Sequence, residues 1–371
     1  LLLPDIADDL NLSPSQQGWL GSSALIANLA LVLPINTWGS KLKPRRTITL
    51  ALFGVAVSVF IQSWAPVFAL LILGRVLLSV AIMFTQASRI LIMQQWSARH
   101  QLALVNSIVI GGVDLMTGVV SFLTPLIIAW TGDWRKTLNI WGVVCLGCAL
   151  VWLLLGRERS TKEHTARVFS QKGTPLKSLL RYRELRYACL GLFGVSVGEV
   201  AFSVFWPTLA ETDLQISGAI IGIAVGLSAI TAAPSSMGVA AFPFFLNHKA
   251  LVLGICGFAK FFLILALLYV QTPFLVITLA ASKGVFSAFF AIVMGMVFYL
   301  PGIKPSEVAV GQAFLRLSLF SGAALGPLIV GFIQESTGDL QNAMLVTTFF
   351  PLGLVAASVL FRGTGKAATG D

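Results

Sequence analysis

Seven ionisable residues interrupt long apolar stretches of this chain: Arg75, Arg89, Asp114, Glu199, Lys260, Lys283 and Arg316. A charge in a bilayer interior costs at least about 2.5 to 3.5 kcal/mol on insertion scales, so each such residue points to a task. Five are cations and two are anions. Guanidinium and ammonium groups in that excess suit paired, charge-assisted hydrogen bonds to an anionic group. A carboxylate among them suits either neutralisation of a cation or carriage of a proton, because burial favours the protonated acid.

Spacing groups these residues into faces. Arg75 and Arg89 stand four helical turns apart and within about 40° of each other, so one side of their helix is polar over about 21 Å. Ser79 and Gln86 fall on the same stripe. Asn106, Asp114, Thr117, Ser121 and Thr124 lie within about 80° on a helical wheel and form a second stripe. Asp114 is placed to neutralise Arg75 or Arg89, or to carry a proton. Ser196, Glu199 and Ser203 recur at three and four residues, with Phe202, Trp206 and Pro207 beside them. Glu199 has no cation near it in sequence and is the better candidate for a proton site, with Lys260 or Arg316 as the alternative partner. Trp206 and its aromatic neighbours suit either packing or contact with a solute. Gln312 and Arg316 are four apart and share a face. Lys283 sits at a depth in the second half similar to that of Arg75 in the first.

The elements that position these groups follow from composition. The chain has 371 residues, of which 57% are hydrophobic and 11% charged, and its mean hydropathy is +0.88. Soluble domains carry about 25% charged residues, so this chain is a polytopic membrane protein and not a cytosolic enzyme or a disulfide scaffold. Apolar runs separated by turns predict spans near 16–38, 47–64, 67–96, 101–130 and 136–155. A basic segment follows at 156–185. Six more spans are predicted near 186–209, 216–246, 249–269, 274–300, 306–332 and 340–362. Residues 1–4 read as the end of a further apolar helix, followed by a polar loop from Pro4 to Ser15, so the sequence reads as lacking most of a first span.

Loop charge gives orientation. Loops 39–46, 97–101, 156–186, 247–249, 301–307 and the C-terminal tail hold 18 Lys and Arg, whereas the alternate loops hold two, Arg135 and Lys136, with eight acids. The positive-inside rule makes the first set cytoplasmic, with both termini on that side. The net charge of +10 lies in these short loops and gives no basic face for nucleic acid. Basic segment 156–185 reads as a linker that fixes topology, or as a contact for anionic lipid head groups.

The two halves repeat. Thr124-Pro125-Leu126-Ile127 before Gly132-Asp133 matches Gly326-Pro327-Leu328-Ile329 before Gly338-Asp339. Residues 102–106 match 308–312 in the same way. Parallel six-span repeats joined by a long loop describe one transporter architecture.

With these features the chain resembles the major facilitator superfamily over its whole length. Trp38-Gly39-Ser40-Lys41-Leu42-Lys43-Pro44-Arg45-Arg46 resembles the family's loop between the second and third spans, with the basic pair kept and the acidic position lost. Gly74-Arg75-Val76-Leu77-Leu78-Ser79 resembles its fourth-span Arg-x-x-x-Gly motif, with Ser79 in place of Gly. Gln94 to Arg99 resembles the exit of that span. Gly326-Pro327 and Gly331 show the family's Gly-Pro-x-x-x-Gly pattern in the second half only. The resemblance implies an all-α membrane fold of two six-helix bundles, 1–155 and 186–371, around linker 156–185.

It also implies a secondary active transporter working by alternating access. The buried cations point to a small organic anion held by Arg75, Arg89, Gln86, Lys283, Arg316, Gln312 and Trp206. A coupled proton would be carried by Glu199 or Asp114, and Lys41, Arg45 and Arg46 would form a gating loop. The alternative is a drug or metabolite exporter whose cations are all salt-bridged. Lys260 reads as structural. A membrane enzyme would need an acid, His or Cys cluster at one membrane face, and a channel would need a filter or charged ring; neither is visible. Cys145, Cys148, Cys189 and Cys256 read as packed thiols. His100, His164 and His248 fall in loops near Lys or Arg. No metal site, phosphate loop or cofactor is expected. The expected setting is a monomer in the cytoplasmic membrane.

Overall fold

A computed structural model describes residues 1–39, 42–97, 102–158, 181–241, 248–297 and 305–365. Every regular element there is helical. The first half comprises α1 (Leu3–Leu10), α2 (Pro14–Gly39), α3 (Pro44–Ser63), α4 (Phe68–Trp96), α5 (Leu102–Thr131) and α6 (Trp134–Leu155). The second comprises α7 (Arg183–Thr212), α8 (Gly218–Ala241), α9 (Lys249–Leu267), α10 (Pro273–Val285), α11 (Phe289–Met296), α12 (Pro305–Thr337), α13 (Leu340–Thr348) and α14 (Leu352–Gly365). Among the described residues ten helical stretches are long and apolar enough to cross a membrane. This is a multi-pass membrane protein.

The sequence repeat is also a structural one. Gly132 and Gly338 both take left-handed backbone angles, φ +66° and +72°, a conformation that costs glycine nothing. In each half the next residue then caps the following helix. Asp133 accepts from the Arg135 amide at 2.8 Å, and Asp339 accepts from the Asn342 amide at 2.9 Å. Each carboxylate satisfies an amide that the first helical turn leaves free.

Three features depart from the sequence expectations. Pro4 to Leu10 is not loop: α1 starts at Leu3, and Leu3, Ile6 and Ala7 bury their side chains while Asp5, Asp8 and Asp9 face outward. The span expected at 274–300 is interrupted by a 3-10 turn, Phe286–Ala288, between α10 and α11. The last span breaks between α13 and α14 at Phe349–Pro351, because Pro351 has no amide hydrogen to continue the helix. Glycines on α7 make room for this break, since a side chain at Gly194 would meet the Phe350 carbonyl and one at Gly198 would meet the Pro351 ring.

Within the first half α3 packs between α4 and α6, and α4 also packs on α2. In the second half α7 packs on α12 and α14, α9 on α14, and α8 on α10. The halves meet along two seams, α2 with α12 and α5 with α8. Both are lined by small residues. A Cβ at Gly18 would lie 2.6 Å from the Pro327 carbonyl oxygen, and one at Gly331 would lie 2.7 Å from that of Pro14. On the other seam a Cβ at Gly118 or Gly226 would come within 3.0 Å of the opposing backbone. Such close approach is how helices associate where lipid removes the hydrophobic drive.

Candidate functional site

Two arginines from opposite halves stand beside one apolar cluster. On α4, Val80, Met83 and Phe84 pack with Val32 and Ile35 of α2, which fixes the turn that carries Arg89. On α12, Leu315 is buried within the second half while Leu317 packs toward α2, which leaves Arg316 between them at the seam. Arg89 and Arg316 therefore border one apolar cluster that α2, α4 and α12 share. Neither has a carboxylate partner among the described residues. The Arg89 Nε is buried with no hydrogen-bond acceptor among the described residues. Two cations beside one low-dielectric cluster repel each other, and no carboxylate among the described residues offsets them.

Arg75 lies two turns into α4 and lines a cavity of 180 Å³. Gln62 and Leu71 of the first half and Ser203 and Val204 of α7 share that lining, so this space too is bounded by both halves. Arg75 also has no ion-pair partner among the described residues. Gln62 was not singled out from the sequence. Its signal was a lone amide in an apolar span, four residues after Ser58, whose carbonyl it now binds at 3.2 Å.

The third cluster is inside the second half. The Glu199 carboxylate on α7 receives two lysines from different helices. Lys283 Nζ of α10 donates to Oε2 at 2.8 Å, and Lys260 Nζ of α9 pairs with Oε1 at 2.9 Å. Lys260 is 1% exposed and also donates to Ser287 Oγ at 2.9 Å. The 3-10 turn of Phe286–Ala288 brings that hydroxyl to it. Lys283 has the face of Phe202 as a further neighbour, at 5.0 Å. The cluster has two ammonium groups and one carboxylate.

The family model described as Major Facilitator Superfamily matches residues 1–300. The chain belongs to the Major Facilitator Superfamily. No curated protein sequence matches it significantly. Among solved structures it is similar to a bacterial homolog of the human lysosomal transporter Spinster in two inward-facing states. The unoccupied state gives a TM-score of 0.72 at 16% identity, covering 98% of this chain and 93% of that one. The occupied state gives 0.68 at 14%, covering 98% and 92%. The nucleoside transporter NupG gives 0.71 at 18%, covering 96% and 93%. At these identities the likeness shows the fold alone. Membership of this superfamily points to a transporter and not to an enzyme.

Several residues of this superfamily member sit differently from the sequence expectation. Trp206, expected at the solute, is 1% exposed, stacks on Phe202 at 5.3 Å and donates from Nε1 to the Leu267 carbonyl at 2.9 Å. That makes it a packing residue. Glu199, expected as a proton site with Lys260 or Arg316 as the alternative partner, is held by Lys260 and also by Lys283. Lys283, expected beside the pseudo-symmetric arginines, is engaged by Glu199. Asp114 is half-buried on α5 and pairs with neither Arg75 nor Arg89. Gln86 is exposed on α4. Ser79 Oγ lies 2.7 Å from both the Ala24 carbonyl and Asn28 Oδ1, so that part of the α4 stripe faces α2 and not the arginines' space. Arg45 spans α3 and the end of α6, its amide bound to Glu158 and its Nη2 to the Leu153 carbonyl. Arg46 is exposed. Lys41 and the Gln312 side chain lie outside the described residues, as does 159–180 of the expected linker.

Proposed function

We propose that the chain is a secondary active transporter that carries a small organic anion by alternating access. The observation that carries this reading is the pair Arg89 and Arg316: two guanidiniums from opposite halves beside one shared cluster, each without a carboxylate among the described residues. An anion between them joins the halves while it is bound and lets them part when it leaves. A carboxylate suits the planar fork of arginine through two parallel hydrogen bonds. Arg75 supplies a further cation on the solute path. In an exporter of cationic or neutral compounds the buried cations would all be neutralised; among the described residues Lys260 and Lys283 share the single Glu199 carboxylate, and the three arginines have none.

Asp114 is the better proton carrier of the two acids, because among the described residues it has no cation to hold it ionised, whereas Glu199 has two. The basic loops make their end of the bundle the cytoplasmic one, in a cytoplasmic membrane. The two bundles, 1–155 and 186–371, then act as the rocking bodies, in a monomer.

Counterflow in proteoliposomes tests the reading. Labelled monocarboxylates, dicarboxylates, inorganic anions, neutral solutes and cationic drugs are offered with and without a pH gradient. Saturable exchange of a carboxylate, lost in Arg89→Ala and in Arg316→Ala, is the expected result. Exchange confined to cationic or neutral compounds, or a carboxylate exchange untouched by both substitutions, overturns it.

A further inference from the structure

Lys260 is the most deeply buried member of the Glu199 cluster. It is 1% exposed, on α9, behind Glu199. Glu199 keeps a side-chain exposure of 20%, and Lys283 one of 8%. The two lysines are therefore not equivalent. Lys260 is the inner partner and Lys283 the outer one.

Their hydrogen bonds differ in the same sense. Lys260 has one hydrogen-bond acceptor, Ser287 Oγ at 2.9 Å, besides its ion-pair contact with Glu199 Oε1 at 2.9 Å. Lys283 has one, Glu199 Oε2 at 2.8 Å, and otherwise faces the Phe202 ring. If Lys283 leaves the carboxylate, a neutral Glu199–Lys260 pair remains, buried and anchored to Ser287. If Lys260 were to leave the carboxylate, the Ser287 hydroxyl would remain its acceptor but, among the described residues, no counter-charge would stand beside it. A buried charge stripped of its partner is the costly arrangement, and the neutral pair avoids it.

We infer that Lys260 is the fixed counter-ion of Glu199 and that, by neutralising it, Lys260 frees Lys283 to hold an anionic group of the solute. This deepens the organic-anion reading and rests on it. Lys260 acts as a positioning residue: it touches no solute and sets the charge that Lys283 presents. Without Lys260, Glu199 and Lys283 form a closed pair and the second half offers no cation from this cluster. Removing Glu199 as well restores one free ammonium.

The test uses the full-length protein in detergent. Thermal stabilisation by acetate, succinate and inorganic phosphate is measured against chloride at fixed ionic strength. The variants are Lys260→Met, Glu199→Gln and the double variant Glu199→Gln/Lys260→Met. Methionine fills the lysine's volume without its charge. The expected result is at least a tenfold rise in the apparent dissociation constant of the stabilising anion for Lys260→Met, and a return to within about threefold of the parent in the double variant. A merely structural lysine does not give that rescue. Unchanged affinity in Lys260→Met overturns the inference, as does a double variant as weak as the single one. If Lys260→Met alone unfolds the protein, the double variant carries the decision: anion affinity near the parent's supports the inference, and affinity reduced tenfold overturns it.

Arg89→Ala and Arg316→Ala, measured in parallel, separate the two ideas. Loss of anion stabilisation in the arginine variants with no effect of Lys260→Met leaves the anion reading standing and sinks this one. The reverse pattern sinks the arginine pair as the anion site and keeps the lysine assignment. No stabilisation of the parent by any of the three anions sinks both.

Discussion

Replacing Gly331 by alanine should shift the equilibrium between the two ends of the transporter. The added Cβ would sit 2.7 Å from the Pro14 carbonyl oxygen, 3.2 Å from Gly18 Cα and 3.3 Å from Gly18 N. All three are backbone atoms of α2, which cannot rotate away as a side chain would. The halves must separate at this end by several tenths of an ångström. Overpacking a close contact costs about 1 to 3 kcal/mol, which is about 5-fold to 150-fold in population. Alanine also favours a helix over glycine by about 0.8 to 1.0 kcal/mol, but that gain applies to α12 whether the ends are together or apart. The clash therefore decides the direction, toward opening at the end that carries the acidic loops. Spin labels at Lys136 and Glu335, exposed on either half at that end, report the distance by pulsed electron resonance after the four cysteines are replaced. The longer-distance population should grow in Gly331→Ala. Gly147→Ala, where a Cβ meets nothing within 4 Å, is the control and should match the parent. A Gly331→Ala distribution equal to that of the control would refute the argument.

Other expectations concern single contacts. Trp206→Phe removes the donor to the Leu267 carbonyl and keeps the stacking on Phe202; it should lower the melting temperature, by the loss of about 1 to 3 kcal/mol, with the KM for the transported solute unchanged. A raised KM at full stability would restore Trp206 to the solute site. Asp114→Asn should abolish accumulation driven by a pH gradient while leaving solute exchange intact, since exchange needs no net proton movement. Loss of both activities together would place Asp114 at the solute instead. Arg135→Ala breaks a pair with Asp9 whose side chains are 31% and 43% exposed, so screening by solvent limits the pair to under about 1 kcal/mol. The melting temperature, compared at low and high salt, should move by only a few degrees.

Features of the fold that rest on local chemistry were legible in the sequence. The Gly-Asp doublets are an example, because a left-handed glycine followed by a capping aspartate is a local event that recurs wherever the doublet stands. The apolar runs are another, since a bilayer-crossing helix satisfies its own backbone. What escaped reading depends on neighbours. The helix Leu3–Leu10 was hidden by three acids, and only the burial of Leu3, Ile6 and Ala7 against the rest of the protein holds it. The 3-10 turn at Phe286–Ala288 has no proline to announce it. It lies beside Gly284, where a Cβ would meet the Ser228 carbonyl of α8 at 2.0 Å and Thr231 Oγ1 at 2.1 Å. That contact is set by the α8–α10 packing, and the Thr231 hydroxyl donates across it to the Ala281 carbonyl at 2.8 Å.

The same distinction separates the two sets of buried charge and bears on how the protein moves. Each residue could be found from its cost in an apolar span, but its partner could not. The bond from Lys283 to Glu199 crosses 84 residues of sequence, and nothing in the local pattern of either helix selects the other. Once partners are known, a rule appears. Among the described residues every ion pair lies within one half: Arg135 with Asp9 in the first, Lys249 with Glu184 and the Glu199 cluster in the second. The unpaired arginines border spaces shared by the halves. A pair internal to one half survives any rigid rotation of that half, so it can stay closed through a cycle. A strong pair across the seam would have to break in every cycle, and would favour one state by its full strength. Contacts across the seams are instead close-packed glycines and apolar side chains, which part without leaving an unpaired charge behind. On the organic-anion reading proposed above, the charge that bridges the halves would be supplied by the solute itself, and only while it is bound.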